Sequence, residues 1–189
     1  MGKINTITFE LEGLTDLIFN NFTVGVKDSS MRKPDLGTNL TDDERKEIIL
    51  HKGHFYNGNP VIPAINLRKS MERVASLVQL KGKTTMKGAI QQNLLDITER
   101  YLTIAPQKEY EVRWDRVNVG GKQGSQMIIA RPVLKTPWST RVTMEYFPPV
   151  TEDKVIETIQ RAGRQGIGAY KILFGQFAPK RIEPERQAI

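Results

Sequence analysis

No cysteine occurs in the sequence, which removes disulfides and thiolate metal sites together and suits a reducing compartment. Histidine is almost as scarce, with His51 and His54 the only two. Gly53 lies between them and no carboxylate joins them at helical spacing, so neither a metal nor another cofactor is expected. No run of about 18 apolar residues exists, which excludes a membrane-spanning helix. The opening MGKINTITFE lacks the apolar stretch of a signal peptide, so the expected compartment is the cytoplasm. No Ser/His/Asp constellation or carboxylate pair is visible, and the chain reads as a non-enzyme.

What is present is positive charge. The chain has 189 residues, enough for one domain of ordinary size, and carries a formal charge of +7. Such an excess is the electrostatic footprint of a polyanion partner. It is concentrated in two stretches. Between Ala64 and Gln91 stand Arg68, Lys69, Arg73, Lys81, Lys83 and Lys87 against the single acid Glu72. From Arg161 onward, Arg161, Arg164, Lys171, Lys180, Arg181 and Arg186 face only Glu183 and Glu185.

The segment Thr151 to Phe177 reads as a helix, then a loop with Gly163, Gly166 and Gly168, then a strand. Glycine at an element junction exposes backbone N–H groups, a candidate phosphate cradle flanked by Arg161 and Arg164. A dinucleotide fingerprint would need the opposite order, strand before helix, and a glycine where Lys171 stands. The Walker A pattern fails at Ala169 and Tyr170, and Gly82-Lys83-Thr84 mimics only the end of one. The alternative for this loop is a plain helix cap at Gly163 followed by a turn.

Elsewhere, residues 4–11 alternate as a strand. Thr41 with Glu44 forms a capping box that opens a short helix. Asn57-Gly58 signals a hairpin. An amphipathic helix is expected over 64–80 and a second over 89–101. Strands are expected over 110–119, 125–134, 138–147 and 170–177, with a helix over 151–162 and a flexible tail from 179. Removing 20–63 and 81–119 as insertions leaves the order βαββαβ. That order predicts an α+β, ferredoxin-like or RRM-like single domain, with helices on one sheet face and the other face free for a partner.

The Ile62-to-Met71 opening IPAINLRKSM after a hairpin, and a glycine-rich loop before the last strand, resemble the RAMP superfamily of CRISPR-associated RNA-binding proteins. The nearest likeness is to the backbone subunits of CRISPR effector complexes. Phage and prophage proteins share the same string: Ile62-Pro63-Ala64, Arg68, Trp138, Ala162-Gly163, Gly166-Ile167-Gly168 and Gly175-Gln176-Phe177. The resemblance implies an RRM-like fold that binds single-stranded nucleic acid, self-associates or joins sister subunits, and works in a bacterial, archaeal or phage-infected cell. The chain departs from the family in its small size and in lacking an RNP1 aromatic signature.

The nucleic-acid contacts expected are Arg68, Lys69, Lys81, Lys83, Lys87, Arg113, Trp114, Arg116, Arg161, Arg164, Gly166, Gly168 and Lys171. Each basic group neutralises phosphate and each glycine offers an amide, which positions a strand of RNA or DNA without reading its sequence. Solvated basic faces are the competing explanation. Phe55, Tyr56, Trp114, Trp138 and Tyr170 are candidates for base stacking, though Trp138 and Tyr146 share a stripe with Val142 and Met144 and fit the core. Two other functions compete: a protein–protein or assembly module such as a phage-encoded inhibitor, and a metal-dependent nuclease using Asp28 or Asp35.

Overall fold

A computed structural model describes residues 4–19, 41–106, 109–119, 125–169 and 172–183. Its strands are β1 (Asn5–Gly13), β2 (Leu17–Ile18), β3 (Phe55–Tyr56), β4 (Asn59–Pro63), β5 (Leu95–Ile97), β6 (Tyr101–Ala105), β7 (Glu111–Val119), β8 (Ser125–Leu134), β9 (Ser139–Tyr146) and β10 (Phe177–Ile182). The helices are α1 (Asp42–Lys52), α2 (Ala64–Val74), α3 (Met86–Gln91) and α4 (Glu152–Gln165). The result is an α+β fold with two antiparallel sheets.

The larger sheet runs β10-β1-β9-β6-β4-β3, with β5 pairing β9 beside β6. β5 and β6 behave as one interrupted strand: Leu95–Ile97 pair with one end of β9, and Ile104 and Ala105 pair with the other. At the interruption Glu99 fills the gap, both its carboxylate oxygens accepting from the Thr143 amide at 3.0 Å. Strict alternation aims Ile7, Phe9 and Leu11 of β1 and Val142, Met144 and Tyr146 of β9 into the core. They share one cluster with Leu67, Met71 and Val74 of α2 and Val155, Ile159 and Ala162 of α4. Trp138, 1% exposed, is core as its stripe foretold, and its indole N–H donates to the Thr15 carbonyl at 2.9 Å.

The opposite face of β10, β1 and β9 is polar. Register places Glu10 between Lys180 and Arg141, Thr8 beside Thr143, and Thr6 beside Glu145. No aromatic residue stands outward on these three strands, so they offer none of the stacking platform that an RRM-like reading expects.

Several expected boundaries are corrected. Residues 125–134 are not the second strand of the main sheet: β8 pairs β7 and β2 in a separate three-stranded sheet. The alternating pattern was right, but periodicity names no partner. The regions 20–63 and 81–119 are not simple insertions, because β4, β5 and β6 lie within them and join the main sheet. The helix expected over 89–101 is α3, a turn and two strands. The helix expected over 64–80 ends at Val74 and tightens into a 3₁₀ turn at 75–77. The last strand is 177–182 rather than 170–177, so residues 179–182 are paired with β1 and not a flexible tail. The Thr41–Glu44 capping box and the Asn57-Gly58 hairpin form as read.

Candidate nucleic-acid interface

The basic stretch between Ala64 and Gln91 divides into two kinds of residue. Arg68 acts as a clamp. Its guanidinium donates to Glu72 at 3.3 Å, to Asp96 at 2.6 Å, to the Ile90 carbonyl at 2.9 Å and to Asn93 at 2.8 Å. It thereby ties α2 to α3 and β5. Lys69, Arg73, Lys81, Lys83 and Lys87 are exposed, and none enters an ion pair among the described residues. Gly82, with φ +60°, makes the turn that presents Lys81 and Lys83, closed by the Gln79–Thr85 bridge. Lys87 follows on the first turn of α3. With Glu72 engaged by Arg68, no free acid interrupts this segment.

The glycine loop is built differently from a phosphate cradle. α4 runs through Gly163 to Gln165, so the C-cap is Gly166 with φ +78° and not Gly163. Gly163 is buried, and a Cβ there would lie 2.2 Å from the Phe177 carbonyl oxygen. Six amides of the described loop already donate to protein acceptors. Gly166 donates to Ala162, Ile167 to Gly175, Ala169 to Ile18, Ile172 to Gln165 and Gly175 to Asp16. Gln176 donates to the Thr15 hydroxyl. The dense glycine therefore serves close packing of backbone on backbone, at Gly166 against Phe174 and at Gly168 against Ile18. Of its flanking cations, Arg161 pairs with Glu157 at 3.1 Å and Arg164 is exposed. Hydrogen bonding from Lys154 heads the causes that hold the Glu157 carboxyl below its usual range.

On the smaller sheet, Arg113 and Arg131 stand directly opposite each other across the β7–β8 ladder. Asp115 bridges them, one oxygen accepting from Arg113 at 2.7 Å and the other from Arg131 at 3.0 Å. Arg113 also lies over the Phe174 ring at 4.5 Å, joining this sheet to the glycine loop. Trp114 on the same strand is 36% exposed. Lys52 of α1 donates to the Ala130 carbonyl at 2.7 Å, and burial, aided by nearby Arg131, lowers its pKa. Lys171, Tyr170, Asp28, Asp35 and the side chain of Arg116 lie outside the described residues.

A cleft of about 420 Å³ opens where α2 begins, and sequence reasoning missed it as a unit. His54, Ala64, Ile65, Arg68, Asp96, Arg100 and Tyr101 line it. Tyr56 stacks on Tyr101 with ring centroids 5.0 Å apart and planes inclined by 23°. Arg100 lies 5.5 Å from the Tyr101 centroid. The hairpin signal at Asn57-Gly58 correctly placed Tyr56 beside a turn. Tyr101 was hidden because residues 89–101 read as helix. Burial lowers the His54 pKa, keeping the imidazole neutral.

No protein-family model matches the chain, and no curated protein matches it. Solved structures do. The cryo-EM structure of the Type III-B Cmr-beta bound to cognate target RNA aligns with TM-score 0.60 and 13% identity over 96% of this chain. This chain spans 60% of the length of that one. The crystal structure of Cmr6 from Pyrococcus furiosus aligns with TM-score 0.50 and 11% identity, covering 94% of this chain and 98% of that one. Likeness at such identities is one of fold, and this chain shares its fold with both structures.

Proposed function

We propose that this protein is an RNA-binding, RAMP-type subunit of a ribonucleoprotein complex, holding a single strand by its sugar-phosphate backbone. The observation that carries the reading is the run of exposed cations Lys69, Arg73, Lys81, Lys83 and Lys87, none of them in an ion pair among the described residues. It lies on a fold that a structure bound to target RNA also adopts. The core in this reading is ferredoxin-like, with order β10-β1-β9-β5, the interrupted β5–β6 serving as second strand and α2 and α4 as the two crossovers. The protein contributes binding rather than catalysis, and its place of work is the cytoplasm.

Assembly with sister subunits or a second copy has its own support. Leu14, Ile172 and Leu173 are 63%, 64% and 71% exposed. Leu14 is tied to this loop through Gln176, whose carbonyl accepts the Leu14 amide and whose side chain donates to the Ile172 carbonyl. Ile172 holds φ +80°, a conformation that costs a β-branched residue and that favours a functional rather than a packing explanation.

The test is fluorescence anisotropy with labelled oligo(U) RNA and oligo(dT) DNA. Binding of RNA at least as tight as DNA is expected. Binding to neither, with a protein-like 260/280 absorbance ratio on purification, would transfer the reading to a protein–protein module. Divalent-dependent cleavage lost in Asp28→Ala or Asp35→Ala would instead establish the nuclease.

A further inference from the structure

We infer that the cleft beside Tyr101 is a nucleobase site, in which an unstacked base of the bound strand lies on the Tyr56–Tyr101 pair. The inference rests on the RNA-binding reading above and deepens it. Three observations converge on a flat, π-bearing ligand next to a phosphate.

The first is the tyrosine pair itself. Tyr56 and Tyr101 lie on one face of the β3–β4–β6 ladder, as the pairings Tyr56↔Asn59 and Pro63↔Tyr101 require. The core leaves the pair outside: Tyr56 is 53% exposed, and neither ring belongs to the buried cluster. Tyr101 lines the cleft, and the exposed Tyr56 ring stacked on it beside the cleft offers the face on which a base can extend the stack. The hairpin turn fixes the pair in place, with Asn57 at φ +51° and Gly58 at φ +77°.

The second is the polar lining. Arg100 is exposed and lies against Tyr101, so it can meet the phosphate of the nucleotide whose base stacks. Among the described residues, Asp96 uses one carboxylate oxygen, Oδ1, for both Arg68 and the Ile97 amide. Its Oδ2 is left to accept from a base amino or ring N–H group. His54, its pKa lowered by burial, adds no charge to a lining already carrying Arg68, Asp96 and Arg100.

The third is location. Arg68 lines the cleft and begins the basic stretch that continues through Lys69 and Arg73 along α2. A strand held on those cations reaches the cleft without leaving α2. The cleft's volume of about 420 Å³ suits one nucleotide rather than a folded element.

The experiment uses the full chain and a short single-stranded RNA carrying one 2-aminopurine, whose fluorescence falls on stacking. Wild-type protein is expected to quench the probe. Tyr56→Ala is expected to weaken binding about 5- to 150-fold and to abolish quenching, with the salt dependence of affinity unchanged. Tyr56→Phe, which keeps the ring, restores both. Tyr56 is exposed, so its removal does not threaten folding, and Arg100→Ala provides a second surface variant expected to weaken binding. Tight, salt-dependent RNA binding by Tyr56→Ala with quenching intact would overturn the base site while leaving the RNA-binding reading standing. Absence of RNA binding by the wild-type protein would overturn both.

Discussion

At Gly166 the chain leaves α4 with φ +78°, and a side chain there would place a Cβ 2.4 Å from the Phe174 carbonyl oxygen. Gly166→Ala is therefore expected to lower stability by about 1–3 kcal/mol, read as a shift in the denaturation midpoint. Its effect on RNA affinity should be no larger than its effect on folding, since the Gly166 amide is engaged by the Ala162 carbonyl within the protein. The glycines were legible in the sequence, but their role was not, because spacing reveals where backbone can bend and not which acceptors its amides find. Arg68 shows the same gap. Its charge was plain, whereas its four bonds come from residues 72, 90, 93 and 96, whose approach only the fold creates.

His54 supplies a pH signature at the same scale. Burial depresses its folded pKa below the unfolded value of about 6.5. The unfolded chain therefore binds the proton first as pH falls. Stability is complete above the unfolded value and declines as pH drops from there toward the depressed folded one. The lowered carboxyls of Asp16, Glu44 and Glu157 act only in a more acidic window, below the ordinary carboxylate values of 3.8 and 4.5. Thermal melts at pH about 8 and about 5 should differ less for His54→Gln than for the wild type. An equal difference would contradict a buried, neutral His54.

Among the elements, the β7–β8 hairpin carries its own electrostatic lock. Two guanidiniums placed opposite each other would repel, and Asp115 bridges both from an almost fully buried position. Asp115→Asn is expected to destabilise the protein by about 3 kcal/mol, measured by denaturant unfolding, with loss of amide protection concentrated in 111–134. This hairpin was readable from alternation and from the intervening glycines, yet its membership in a separate sheet was not. Strand pairing is a long-range choice, and β2, which joins it, is only two residues long. The interrupted strand β5–β6 was missed for a similar reason: residues 98–100, with Glu99 at their centre, break its period, and the surrounding pattern imitates a helix.

For the whole molecule, charge and shape divide the work between surfaces. The outward face of β10, β1 and β9 mixes Glu10, Glu12 and Glu145 with Arg141 and Lys180, while the 69–87 segment is basic with its one acid engaged. Composition raised the expectation of a polyanion partner, and the order of elements and motifs that of a RAMP-like fold, with which the likeness to the Cmr-beta and Cmr6 structures agrees. Neither showed that the basic patch from Arg161 onward would be partly neutralised by Glu157 and Glu152, which pair with Arg161 and Arg181. In the proposed function, that leaves the 69–87 segment as the expected site of phosphate contact.

The most direct measurement is the salt dependence of single-stranded RNA affinity for the wild type and for a Lys81→Glu/Lys83→Glu/Lys87→Glu variant. Each phosphate contact on a single strand contributes about 0.7 to the slope of log affinity against log salt. Loss of three contacts should flatten the slope by about 2 and weaken binding at low salt, with melting temperature little changed because all three side chains are exposed. An unchanged slope in a folded variant would contradict the central claim that this segment holds the strand.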